Sequence, residues 1–434
     1  MNLELNENKT EGNISKDEFI ASILEDYKLA CISREMSLLG RKEVLTGKAK
    51  FGIFGDGKEI AQIALAKQFK NGDFRSGYYR DQTFMMAIGR LNIQEYFAGL
   101  YAHTDINLEP SSGGRQMGSH FSTRTLDKNG NWTNLMDKKN SSADISPTAG
   151  QMSRLLGLAQ ASKIYRNNKS LKHKTKFSNN GNEVAFGTIG DASTSEGIFW
   201  ETINAASVMQ VPMAISVWDD GYGISVPKKY QTTKESISEA LSGFQKEDDD
   251  INGIKIYKVN GWDYPNLVAT YQKAINYCRE SHTPVLIHVQ DMTQPQGHST
   301  SGSHERYKSK ERLAWAKEFD CIFKFKKWIL SNNNALNTAL STEEELNNIE
   351  KESKIKVRDE AKKAWKAYND DIDKYRREIS SCIEELILKS KFSEGLNNLI
   401  KQINNDTTFK DIIKILRKSI LLTRNEGIND KAKK

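Results

Sequence analysis

The sequence predicts an α/β fold: a mainly parallel sheet covered by helices on both faces, with a helical extension at the C-terminal end. Three observations carry this. The segments EVAFGTIG from Glu183, PMAISVWD from Pro212 and PVLIHVQD from Pro284 are almost continuously apolar, as strands buried on both faces are. Stretches of helical periodicity separate them, which is the alternation of crossover-connected parallel strands. Beyond the polar loop SNNNALNTALS at 331–341 the chain turns rich in Lys, Glu, Asn and Ile and almost loses glycine.

In chain order, residues 1–15 are polar and read as a disordered arm. From Lys16 to Arg41 the apolar positions Phe19, Ile20, Ile23, Leu24, Tyr27 and Ala30 recur at helical spacing. Residues 48–140 alternate short helices with glycine-rich loops such as FGIFGDGKE, FRSGYYRDQ and PSSGGRQMGSH, and such loops are where sites usually lie. GQMSRLLGLAQASKIYRNN reads as an amphipathic helix, followed by a Lys/Asn/Ser insert at 167–182. After the first strand Gly190 is expected to allow a tight turn. Ser193-Thr194-Ser195-Glu196 reads as a capping box opening a helix whose apolar face is Ile198, Ile203, Ala206 and Val208. The domains expected are the arm at 1–15, a sheet domain at 16–335 and a helical extension or linker at 336–434.

The chain of 434 residues can bury a sizeable core, and 38% hydrophobic with 27% charged residues is an ordinary globular balance. Its formal charge of +7 comes from 63 cations against 56 anions, a mixed-sign surface rather than a basic stripe, so no nucleic-acid partner is expected. Cys31, Cys278, Cys321 and Cys382 are far apart and form no CxxC pair, the pattern of reduced thiols rather than a zinc site. There is no signal-like apolar N-terminus and no run of about 18 apolar residues, so neither membrane contact nor export is expected and the location read is cytoplasmic.

Two loops invite a chemical reading. GIFGDGKE has the outline of a phosphate loop, but Glu59 stands where the Ser or Thr ligand of Mg²⁺ belongs, so it reads instead as a helix N-terminus lining a pocket. The second signal runs from Gly187 to Ser225. GDA and WDDGYG end consecutive strands joined by one helix, so Asp191 and Asp220 should lie side by side at the carboxyl edge of the sheet, where open α/β folds bind ligands. Two carboxylates beside a helix N-terminus suit a divalent cation and a diphosphate. Taken singly, Asp191 is a helix-terminal charge and Asp219-Asp220-Gly221 an ordinary turn; the pairing favours a site.

With 26 residues between Ala192 and Asp219, the stretch resembles the thiamine diphosphate fingerprint. Together with GYYRDQ, GGRQMGSHF, ISPTAGQM and GHSTSGSHERYKS, in that order over about residues 17–330, the chain resembles the alpha subunit of the decarboxylating component of 2-oxo acid dehydrogenase complexes. The resemblance implies a thiamine-diphosphate-binding fold. It also implies that Asp191, Asp220 and the Tyr222 carbonyl hold Mg²⁺, and that Ala192, Ser193, Tyr79 and Arg80 reach the diphosphate. By the same resemblance Ser146 and Thr148 support the aminopyrimidine, His298 sits in a loop closing over the diphosphate and substrate channel, and His120 lines the substrate pocket. That loop, poor in apolar anchors, is expected to be mobile without cofactor.

The implied partners are a 2-oxo acid substrate, a beta subunit whose glutamate activates the aminopyrimidine, and a lipoyl-bearing acyltransferase component. GRQM and GHSTS look more like branched-chain members; a pyruvate member, a non-catalytic assembly scaffold, a transketolase-type enzyme and a truncated alpha–beta fusion are the alternatives. The fingerprint departs from the family in Ala192 for glycine and Asp219-Asp220 for an Asn pair. Gln294 stands where many relatives carry Arg, and Gly150 replaces a Thr that in some relatives helps bind potassium.

Overall fold

A computed structural model describes residues 15–404 and 407–428. The expected arm, apart from Ser15, lies outside the described residues. The chain divides into two units, Met1–Ala361 and Lys362–Lys434.

In the first unit the order is α1 (Lys16–Leu45), α2 (Glu59–Ala66), β1 (Phe74–Ser76), α3 (Gln82–Ala87), α4 (Ile93–Leu100), β2 (Asn140–Ser141), α5 (Gln151–Asn167), β3 (Ala185–Gly190), α6 (Gly197–Met209) and β4 (Met213–Trp218). There follow the ribbon strands β5 (Tyr222–Gly223) and β6 (Val226–Pro227), then α7 (Ile237–Ala240), β7 (Lys255–Asn260), α8 (Tyr264–Ser281), β8 (Val285–Gln290), α9 (Lys310–Glu318) and α10 (Cys321–Leu330). The helix α11 (Glu343–Lys389) runs from this unit into the second, which continues with α12 (Ser393–Ile400) and α13 (Phe409–Leu422).

One sheet of six strands organises the first unit, in the order β2-β1-β3-β4-β8-β7, every pair parallel. The three strands expected from apolar runs are its centre. Their side chains alternate between two cores, as the pleat requires. Phe186, Ala214, Trp218, Val285, Ile287 and Val289 face a core shared with α1, α2, α8 and α10. Ala185, Ile189, Met213, Ile215, Val217 and Leu286 face a second core shared with α5, α6 and α7. Helices thus cover both faces, as the sequence predicts.

The sequence reading has no counterpart for β1, β2 and β7. β1 reads Phe-Arg-Ser because its centre is a wholly buried arginine, and β7 lies at an edge, where one face meets water and continuous apolarity is not needed. The capping box is also corrected. Asp191–Ser195 form a 3-10 turn, and α6 starts only at Gly197, with Glu196 at the N-cap position making no side-chain cap bond. The Thr194 hydroxyl instead donates to the Asp191 carbonyl at 2.6 Å, and Ser195 Oγ to the Gln231 carbonyl at 2.8 Å. On α6, Val208 is 63% exposed, and Phe199 and Thr202 complete the buried face in its stead. Gly190 has φ −74°, open to any residue, so no tight turn requires it.

The first turns of α11 belong to the sheet unit: Leu346 joins the core, and the Tyr27 hydroxyl donates to Glu350 Oε1 at 2.6 Å. The expected boundary at 335/336 precedes this packing. The second unit has an apolar core of its own, Ile372, Ile379, Ile383, Leu386, Leu396, Ile412 and Ile415. No strand occurs in it among the described residues. The four cysteines are free thiols.

Candidate functional site

The carboxyl ends of four neighbouring strands, β1, β3, β4 and β8, open on one cavity of about 310 Å³. This is the edge at which parallel α/β sheets bind ligands. After β1 come Tyr78, Tyr79 and Arg80; after β3, Asp191, Ala192 and Ser193; after β4, Asp220 and Tyr222; after β8, Gln294 and His298. Thr148, just before α5, lines it as well. Of the residues named from sequence, Tyr79, Arg80, Thr148, Asp191, Ala192, Ser193, Asp220, Tyr222 and His298 therefore meet at one place. Ser146 and His120 are not among the lining residues. They bond to each other, Ser146 Oγ to His120 Nε2 at 3.0 Å, with the His120 ring 6.2 Å from that of Tyr79.

Ala192 fits for a local reason. A side chain at Gly223 would come within 2.8 Å of the Ala192 methyl, so the glycine on β5 leaves room for the alanine that replaces the fingerprint glycine. Gly221, at φ +82°, turns the chain from Asp220 to Tyr222 in a conformation that favours glycine.

Three aspartates gather here in different states. Asp219 Oδ2 accepts from Lys228 Nζ at 2.9 Å and is 3.0 Å from His288 Nε2. Asp220 Oδ2 accepts from Lys58 Nζ at 3.0 Å, and its Oδ1 from the Tyr222 amide at 3.2 Å. Asp191 Oδ2 is buried and has no hydrogen-bond partner. Burial, then the charges of Asp220 and Asp219, push the Asp191 carboxyl well above the ordinary carboxylate range. Burial works on Asp220 in the same sense, but Lys58, Arg80 and Lys308 outweigh it and hold that carboxyl low. At Asp219 burial is likewise outweighed, by His288 and Lys228.

The cations are placed by short loops. Arg80 is buried, donating Nη1 to the Phe54 carbonyl at 2.5 Å and Nη2 to the His298 carbonyl at 3.0 Å, with His298 Nδ1 also at 3.0 Å. A guanidinium can only donate, so Nδ1 is the acceptor and the imidazole proton sits on Nε2. Burial and Arg80 push His298 down to about 4. Lys58, Tyr307 and Lys308 line the cavity too, and sequence reasoning does not name them as site residues. Lys58 is the lysine of the GIFGDGKE loop, which as a whole reads as a helix N-terminus lining a pocket; Tyr307 and Lys308 lie in the GHSTSGSHERYKS motif but carry no periodic or spacing signal.

The loop from Gln294 to Thr300 is better anchored than its composition suggests, by polar rather than apolar contacts. Gly52 N and Thr300 Oγ1 are bonded at 3.0 Å, Gln296 N donates to Asp56 at 2.9 Å, and Arg41 holds the carbonyls of Gln296 and Ser299 at 3.1 and 3.0 Å.

An unsatisfied buried carboxylate oxygen, a Tyr78 hydroxyl also without a partner, and the cations Lys58, Arg80 and Lys308 fit a divalent cation with a polyphosphate. The donor set suits Mg²⁺, which takes one or two carboxylates from protein and its other oxygens from phosphate and water. Among the described residues no group of three or more His, Cys, Asp or Glu side chains could hold a metal alone.

A family profile described as dehydrogenase E1 component matches residues 27–372. The chain is similar to the 2-oxoisovalerate dehydrogenase subunit alpha of Bacillus subtilis (strain 168), 26% identical over 300 residues, 69% of this chain and 77% of that one. It is similar to the pyruvate dehydrogenase E1 component subunit alpha of Acholeplasma laidlawii, 24% identical over 349 residues, 79% of this chain and 83% of that one. The mitochondrial 2-oxoisovalerate dehydrogenase subunit alpha 1 of Arabidopsis thaliana is 24% identical over 288 residues, 66% of this chain and 52% of its own length.

Proposed function

The chain belongs to the dehydrogenase E1 component family, and from that premise we propose that it is the alpha subunit of a thiamine-diphosphate-dependent 2-oxo acid dehydrogenase acting on branched-chain 2-oxo acids. The observation that carries the reading is the unpartnered Asp191 oxygen facing a cavity ringed by Lys58, Arg80 and Lys308. Thiamine diphosphate, when bound, supplies the electron sink for decarboxylating a 2-oxo acid, and the protein supplies binding and orientation. Asp191, Asp220 and the Tyr222 carbonyl hold Mg²⁺, and the amides of Ala192 and Ser193 with Arg80 and Tyr79 take the diphosphate. Thr148 supports the aminopyrimidine end, with Ser146 and His120 paired behind Tyr79. His298, kept neutral by burial and by Arg80, presents Nε2–H as a donor at the cavity.

The partners in this reading are a beta subunit with the aminopyrimidine-activating glutamate and a lipoyl-bearing acyltransferase that receives the acyl group. The branched-chain assignment rests on GRQM and GHSTS and on the similarity to 2-oxoisovalerate dehydrogenase subunits; matches to pyruvate dehydrogenase subunits make pyruvate the second reading. Calorimetry should show Mg²⁺-dependent binding of thiamine diphosphate that Asp191→Ala abolishes. Unchanged binding in that variant would place the cation elsewhere. With a beta chain added, 3-methyl-2-oxobutanoate should be decarboxylated in preference to pyruvate, and the opposite order would assign the pyruvate class.

A further inference from the structure

Lys58 is 1% exposed, and all three of its ammonium protons are used: on Asp220 Oδ2 at 3.0 Å, on Gln294 Oε1 at 2.6 Å and on the Thr293 carbonyl at 3.2 Å. Its loop is built to bring it there. Gly57 has φ +87°, and a side chain on it would come within 2.1 Å of the Thr293 carbonyl, so only glycine permits this approach. The Gly57 amide donates to Glu59 Oε2 at 2.8 Å, and Glu59 is fixed in turn by Arg34 at 2.6 Å. Asp56, on the other side, accepts from Gln294 Nε2 at 3.2 Å.

A second carboxylate beside Asp191 would repel any anionic ligand taken into this cavity. Each aspartate after β4 nevertheless has a lysine of its own, Lys228 on Asp219 and Lys58 on Asp220, and of these three aspartates Asp191 is the one that keeps a buried oxygen without a partner.

We propose that Lys58 is a positioning residue of the diphosphate site: its ammonium neutralises and orients Asp220, so that an aspartate is tolerated next to Asp191 and the phosphate oxygens. Gln294, which brings no charge, serves as the second clamp on that ammonium. The proposal rests on the cofactor reading above. It makes Lys58 and Asp220 one unit whose parts are not independently replaceable, because removing one leaves the other buried and uncompensated.

The test is a double-mutant cycle read by calorimetry of thiamine diphosphate binding with Mg²⁺, on the full chain, with thermal melting of each variant. Lys58→Met should weaken binding on the order of tenfold or more, since a bare carboxylate then faces the diphosphate. Lys58→Met with Asp220→Asn removes both charges while Asn keeps a side-chain oxygen for the cation, so the double variant should bind at least about threefold more tightly than Lys58→Met alone, the signature of coupled neighbours. The loss in Lys58→Met should also be larger for thiamine diphosphate than for thiamine monophosphate, a dependence on ligand charge that a purely structural role does not give. Wild-type affinity in Lys58→Met, or a double variant that folds as the wild type does yet binds as weakly as the single one, would overturn the proposal alone. Failure of the wild-type chain to bind thiamine diphosphate at all would overturn the functional reading and this inference with it.

Discussion

Asp191 and Asp220 were legible as residues because apolar strands lead directly into them and glycines flank them, a pattern that names a strand end and its turn. The burial of Lys58 was not legible. A lysine on a glycine-rich loop is usually solvated, whereas this one is buried where Gly57 packs closely on Thr293. His298 shows the same limit: the motif marks the position, but its burial and its partner Arg80, 218 residues away in sequence, are not visible there. That partner yields a prediction. Burial and Arg80 push the imidazole down to about 4, against about 6.5 for an unperturbed histidine. An unfolded chain therefore takes up a proton between these values that the folded chain refuses, so this contribution is complete above pH about 6.5 and is lost as the pH falls towards 4. Histidine-selective NMR should give a midpoint for His298 near 4, rising towards 6.5 in Arg80→Met. A wild-type midpoint near 6.5 would mean that neither burial nor Arg80 acts on this ring.

At the scale of elements, the central strands could be read because burial on both faces forces a continuous apolar run. β1 breaks that rule through Arg75, which is wholly buried and binds Asp81 at 2.7 Å, Asp144 at 3.0 Å and Ser141 Oγ at 2.8 Å. Binary patterning has no symbol for an ion pair inside a sheet, so the strand stayed hidden. Arg75→Met should cost about 3–5 kcal/mol, because two buried carboxylates lose their counter-ion. Urea unfolding would measure it, and a change below about 1 kcal/mol, the worth of an exposed pair, would contradict the described burial. The loop after β8 is marked in the sequence by its Gly/Ser/His motif, but its polar anchors are not, since hydrogen bonds to a distant loop leave no trace in local composition. Residues 294–300 are tied down, whereas Ser301, Gly302, Glu305 and Arg306 are exposed. Trypsin should therefore cut first after Arg306, and thiamine diphosphate with Mg²⁺ should slow that cut by ordering the segment next to Tyr307 and Lys308, which line the cavity. Equal cutting rates in both states would argue that the cofactor does not reach this segment.

At the scale of the whole molecule, the described residues hold one six-stranded sheet, one two-stranded ribbon and, in the second unit, helices with a separate apolar core. The division into a sheet unit and a helical segment was legible from the loss of glycine and the change of composition. The exact border was not, because α11 runs through it without any local signal. The carboxylates that line the cavity, Asp191 and Asp220, lie at the strand ends with the cations, which in the proposed reading is the diphosphate end. Glu59, though wholly buried, is already held by Arg34 and is not free to serve the other end of a cofactor. The chain should then bind thiamine diphosphate by its charged end without activating it. Purified alone and supplied with cofactor and Mg²⁺, it should release no carbon dioxide from 3-methyl-2-oxobutanoate or pyruvate, while a separately expressed beta chain added to it should start the reaction. Carbon dioxide release by the chain in isolation, at a rate that added beta chain does not raise, would show that the activating carboxylate lies within this sequence and would overturn the half-site reading. Binding without turnover in isolation, followed by turnover on mixing, is the result expected of a chain that contributes one side of a shared site.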